Sequence, residues 1–190
     1  VVGSDLGDAA DSYGTLLGSG GPIHSVDPLA PLRLGACVDF EADGAPSGAA
    51  NGDDVAVGSG RVGACLDDED GVVFVTPVVA CQNAGVQVTA ADAGGLLDAW
   101  IDWNGDGVFG VGDQIAASQP VAVGTQVLAV AVPCTAVPGT TTARFRLSSA
   151  GGLAPGGAAA DGEVEDYVLG VIGSDWGDAE DPTYPTLGAS

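Results

Sequence analysis

The chain contains no lysine. Its only basic residues are Arg33, Arg61, Arg144 and Arg146, set against 26 Asp and Glu, for a formal net charge of −22 over 190 residues. Nucleic acid and anionic membrane surfaces are excluded as partners, because like charge repels both. Aromatic residues are scarce at 5%, so the 46% hydrophobic fraction rests on Val, Ala and Leu, and Gly reaches 32 residues. That mix favours strands and turns over helices. No apolar run is long enough to span a bilayer, so direct membrane insertion is excluded. No charged start followed by an apolar core marks a leader, and the chain reads as a mature or excised piece. No close cysteine pair of the kind a zinc ribbon or a redox C-x-x-C needs is present. The single histidine, His24 in GPIHSVDP, has no nucleophile motif near it. A catalytic triad is therefore unsupported, and His24 is expected to pack or to hydrogen-bond.

What is present begins with four widely spaced cysteines, Cys37, Cys65, Cys81 and Cys134. An even number in an acidic, lysine-free chain points to two disulfides formed in an oxidising, extracellular compartment. Of the three pairings that four cysteines allow, Cys37 with Cys65 and Cys81 with Cys134 are expected, because each pair flanks segments that should be neighbours.

The acids come in clusters, and clustered carboxylates repel one another unless a cation sits among them. The sharpest is DWNGDGVFGVGD, Asp102 to Asp113. It follows the calcium loop D-x-[DN]-x-[DN]-G-x₅-E at every position but the last, where Asp113 replaces Glu. Asp102, Asn104 and Asp106 would supply side-chain oxygens, Val108 its carbonyl, and Gly107 the sharp turn that lets them converge. Further candidate ligands are Asp39, Glu41 and Asp43 in DFEADG, Asp53 in NGDD, Asp67, Asp68 and Asp70 in LDDEDG, and Glu163, Glu165 and Asp166 in DGEVED. For each of these clusters a solvated acidic loop is the alternative. Paired carboxylates also serve glycoside hydrolysis, which needs a cleft lined by sugar-stacking aromatics. Trp100 and Trp103 flank the loop, although core packing is the commoner use of Trp.

Organisation is marked by a repeat. GSDLGDA at Gly3 returns as GSDWGDA at Gly173, an offset of 173 − 3 = 170. A domain-sized period is the mark of beads joined end to end. Residues 1–3 are expected to be linker, 4–173 one domain, and 174–190 the start of the next bead or a segment docking on a neighbour. Asp5 and Asp8, with their copies Asp175 and Asp178, would lie at the junction. Residues 1–71 read as a long irregular acidic lobe. From GVVFVTP onward, short Val-rich segments bounded by turn residues predict an antiparallel β-sandwich. In TARFRLS, alternation puts Ala143, Phe145 and Leu147 on one face and Arg144 and Arg146 on the other, where pairing with carboxylates is expected.

Gly162-Glu163-Val164-Glu165-Asp166 resembles the signature of the GEVED domain, found in repeated form in large bacterial surface and secreted proteins. SDLGDAADSYGTLL, EADGAPS, DDEDGV, AWIDWNGDGVF, VPGTTTARFRLSS and AADGEVEDYVL are similar to the family's pattern in its order. The cysteines depart from that pattern, as does Ala10, where Pro is usual. The resemblance implies an all-β, calcium-stabilised sandwich that builds an extracellular fibre or adhesin on the bacterial surface, contacts neighbouring copies of itself, and has no catalytic activity. A carbohydrate-binding or adhesive module, with a glycan as partner, is the alternative.

Overall fold

The computed structural model describes residues 3–52, 61–63 and 67–175. These are all-β, apart from 3₁₀ turns at Asp11–Tyr13 and Leu17–Ser19. The largest sheet has five strands in the order β6 (Val78–Val79), β13 (Glu163–Ile172), β11 (Gly139–Ser148), β8 (Gly95–Ile101) and β9 (Gln114–Val121). A three-stranded sheet runs β10 (Gly124–Ala131), β7 (Asn83–Ala90) and β5 (Val72–Phe74). Alternation decides which side chains go inward. Val86, Val88 and Ala90 of β7, Leu97, Ala99 and Ile101 of β8, Ala143, Phe145 and Leu147 of β11, and Leu169 and Val171 of β13 form one hydrophobic cluster. Each such Val, Leu or Phe contributes roughly 1.5–3 kcal/mol on full burial. Phe145 is central, meeting Tyr167 and Phe74 edge-on at 5.9 and 6.3 Å.

The acidic N-terminal lobe, too long to be an ordinary loop, carries short strands as well as the two 3₁₀ turns. β1 (Gly3–Leu6) pairs antiparallel with β2 (Pro22–Val26), β2 pairs with β12 (Gly157–Ala159), and β3 (Cys37–Asp39) pairs with β4 (Arg61–Gly63). Two pairings, β12 with β2 and β13 with β6, are parallel, against the antiparallel arrangement expected throughout. A parallel pair needs a long crossover, and both join strands far apart in the chain.

The outer face of the five-stranded sheet is the unexpected part. Register places Asp98, Arg146 and Val164 in one cross-strand row and Trp100, Arg144 and Asp166 in the next. All six are buried. Their cover comes from the two chain stretches, 13–24 and 154–157, that supply the hydrogen-bond partners of the two arginines. A hydrophobic cluster thus lies against one face of the sheet and a polar seam against the other.

Candidate metal centre

Five consecutive residues fasten the lobe to the sheet. Gly162 has φ +87°, and a Cβ there would collide with the Leu147 carbonyl oxygen, so only glycine lets β13 start beside β11. Glu163 accepts the Leu34 N–H. The Val164 N–H donates to Asp5 Oδ2 at 2.7 Å. Glu165 Oε1 accepts from Gly71 N at 2.8 Å and Asp70 N at 3.2 Å, while the Tyr167 hydroxyl donates to its other oxygen. Asp166 takes the Arg144 guanidinium at 2.7 and 2.8 Å and caps the N–H groups of Asp8 and Ala9 at 3.1 and 2.9 Å.

Of the two arginines expected to meet carboxylates, Arg144 does so through Asp166. Arg146 is held instead by His24 Nε2 at 2.9 Å and by the carbonyls of Ala154, Gly156 and Gly157. His24 Nδ1 donates to the Asp161 carbonyl, which fixes Nε2 as the acceptor. Burial, then the Arg146 charge, hold the imidazole down at about 3. Burial and neighbouring Arg144 lower Arg146 to about 10, so it is still a cation at neutral pH.

A second group of acids gathers where the lobe meets the start of β13. Oxygens of Asp5, Glu41 and Asp68 lie within 4.8 Å of one another, as do those of Asp67, Asp68 and Glu69. Burial raises Glu163 well above the ordinary carboxylate range, helped by Glu165, Asp5 and Asp68. Burial likewise raises Glu165, with Asp70 and Asp68 adding to it. Asp70 is raised by burial and by Asp67 and Asp68, while its Oδ1 accepts the Ala36 N–H. Asp39 is fully buried beside them, its N–H donating to Asp68 Oδ2 at 3.3 Å. Asp43 points away and caps Leu17 and Gly44 from an exposed position. Of the acids read from sequence as separate clusters, Asp39, Glu41, Asp67, Asp68, Asp70, Glu163 and Glu165 thus neighbour one another, whereas Asp43 stands apart, Asp166 faces Arg144 on the other side of the sheet, and Asp102 and Asp113 stay in their own loop. Their donor set is carboxylate oxygen alone, which suits a hard cation such as calcium.

The loop from Asp102 to Asp113 turns as a calcium loop would. Asp102 accepts the N–H groups of Gly105 at 2.8 Å and Gly107 at 2.9 Å, and Gly105 and Gly107 have φ of +67° and +85°. Asn104 and Asp106 touch at 2.8 Å, and Val108 is exposed. Asp113 braces the far end, accepting Trp103 N at 3.1 Å and Gly110 N at 2.7 Å. Asp102 and Asp113 are thus engaged with the backbone, and Asn104 and Asp106 are the exposed pair.

The Cys81–Cys134 disulfide is present as expected. Cys37 is also disulfide-bonded, while its expected partner Cys65 lies outside the described residues, as do Asp53, Trp176 and Asp178. Asp175 is exposed, and the Ser174 hydroxyl donates to the Ala80 carbonyl. Trp100 and Trp103 are both buried.

One structural residue escaped the sequence reading. Asp98 is buried behind an irregularity in the β8–β9 register, where it takes the N–H groups of Ser118 at 2.8 Å and Leu153 at 3.0 Å. A lone acid inside the apolar run LLDAWI was the available signal.

No curated protein and no solved structure matches the chain. A family model does, over residues 96–170, which run from β8 to β13 and end on the strand whose first residues clasp the lobe. The model that matches over these residues is that of the GEVED domain.

Proposed function

We propose that the chain is a structural repeat unit of an extracellular, calcium-stabilised fibre or adhesin, a β-sandwich joined head to tail with neighbouring copies. The observation that carries this reading is the recurrence of the β1 segment at the positions its seat constrains. A Cβ on Gly3 would strike the Phe40 ring, and one on Gly7 would strike the Asp166 carboxylate. Asp5 takes the Val164 N–H, and Asp8 Oδ2 takes the Gly52 N–H at 2.8 Å. Gly173, Asp175, Gly177 and Asp178 repeat each of these residues. Buried Leu6 is answered by Trp176, so the next seat is expected to be wider at that point.

The Cys81–Cys134 bond supports an oxidising, extracellular setting. The buried acids are used on backbone N–H groups and on Arg144, which is structural work and favours a module with no catalytic role. The buried indoles of Trp100 and Trp103 offer no face to a sugar, so the carbohydrate-binding alternative gains no support from them.

The reading is tested with a chain in which residues 1–172 run directly into 3–190, two periods in register. Coupled units should melt above the single chain and scatter as an extended rod, because neighbouring repeats add interface stability. Two units that melt at the single-chain temperature and tumble independently would sink it.

A further inference from the structure

We propose that Asp5, Glu41 and Asp68 form a calcium site that ties the first strand of the unit to the rest of its lobe. The proposal deepens the calcium part of the reading above and does not depend on how units are joined.

The three carboxylates come from three separate stretches: Asp5 from β1, Glu41 from just past β3, and Asp68 from the turn before β5. Each turns one oxygen onto a backbone N–H, Asp5 to Val164 at 2.7 Å, Glu41 to Leu6 at 2.9 Å and Asp68 to Asp39 at 3.3 Å. The remaining oxygens, Glu41 Oε1 and Asp68 Oδ1, are buried without a hydrogen-bond partner. Asp68 is the decisive residue, because its side chain is only 7% exposed and sits among other acids. A buried carboxylate oxygen with no donor is destabilising, and a bound cation relieves it.

Three of the four arginines make their described side-chain contacts with other groups. Arg33 pairs with Asp92 at 2.8 Å, Arg144 with Asp166, and Arg146 lies against His24. Carboxylates gathered from three separate stretches suit the flexible, oxygen-rich shell of calcium better than the near-ideal octahedron of magnesium, which also keeps several waters. The absence of nitrogen or sulfur from the donor set argues against a transition metal.

The test is calorimetric titration of the chelator-treated 190-residue chain with calcium chloride and, separately, magnesium chloride at fixed ionic strength. Calcium is expected to bind and to outcompete magnesium. Asp68→Asn and Glu41→Gln should each weaken one calcium site by about tenfold or more, the scale on which ligand charge tunes such sites. Should Asp68→Asn fail to fold, Glu41→Gln decides, because Glu41 is only partly buried and its amide oxygen still accepts the Leu6 N–H. A wild-type chain that takes up no calcium overturns the proposal. So does calcium binding that survives both substitutions and is lost only in Asp106→Asn, which would put the ion in the 102–113 loop. Neither result touches the two-period melting test, so a failed site and a failed array remain separate outcomes.

Discussion

Asp166→Asn should cost this fold more than any other single neutralisation in the seam. The wild-type carboxylate accepts four hydrogen bonds, two from the Arg144 guanidinium and two from the Asp8 and Ala9 N–H groups, and both charged partners are fully buried. An asparagine keeps one acceptor oxygen and turns an NH₂ toward a guanidinium that can only donate. Arg144 is left with carbonyls, the Thr15 hydroxyl and the Phe109 ring, whose centroid lies 5.4 Å away. Breaking a buried ion pair from one side costs about 3–5 kcal/mol. With about 2–4 °C per kcal/mol for a chain of this size, the midpoint should fall by roughly 6–20 °C. Thermal unfolding followed by circular dichroism, in saturating calcium so that metal occupancy is constant, gives the number. Removing both charges with Arg144→Met and Asp166→Leu should recover part of the loss, because no uncompensated ion then stays buried. Recovery stays partial, since the Asp8 and Ala9 N–H groups lose their acceptor. A shift under about 3 °C for Asp166→Asn, less than roughly 1 kcal/mol on the same scale, would refute the claim that this pair pins the lobe.

Gly162→Ala should destabilise by about 2–4 kcal/mol, combining a positive φ with a collision against the Leu147 carbonyl; urea unfolding measures it, and an unchanged midpoint would contradict the close approach of β13 to β11. Replacing Cys81 and Cys134 together with serine frees a loop with a sequence separation of 53 residues, and should cost about 4 kcal/mol by loop entropy, read in the same assay. His24 gives a pH dependence. The unfolded imidazole takes a proton near pH 6.5 but the folded one only near 3, so stability is full above 6.5 and falls with pH through that window, by up to ~1.4 kcal/mol per unit. His24→Gln can still accept from Arg146 and donate to the Asp161 carbonyl, so its stability should be flatter between pH 6.5 and 4. Glu163 and Glu165 carry the opposite slope in both proteins and drop out of the difference. Parallel curves for the two proteins would mean that His24 does not control the acid limb.

The hydrophobic half of the fold was legible because alternation is a local signal. Ala143, Phe145 and Leu147 face inward as TARFRLS indicates, and GVQVTA does the same for β7. The polar half was not, because its partners are far apart in sequence. Alternation puts Arg144 and Arg146 on the outer face, but nothing near them says that residues 13–24 and 154–157 will cover it. Asp5 read as a junction residue because it repeats, whereas its contact with Val164 spans 159 positions. β12 lies in a Gly- and Ala-rich stretch that carries no strand pattern. Glu163 and Glu165 align opposite Leu147 and Phe145, an inward placement that charge alone would argue against. Their burial becomes intelligible only once the N–H groups of Leu34, Asp70 and Gly71 are seen to need acceptors there.

The clasp formed by Gly162 to Asp166 also sets an order of events during synthesis. Asp8 waits for Asp166, 158 positions later, and Leu34 waits for Glu163, 129 positions later. Until the ribosome has delivered β13, the N-terminal lobe lacks its carboxylate caps and Arg144 lacks its ion-pair partner, and such non-local closures are slow. The first-made segment of the chain is therefore the last to be locked. Were such units strung together as proposed, the growing end would carry one open, highly acidic lobe, whose like charges would oppose premature collapse.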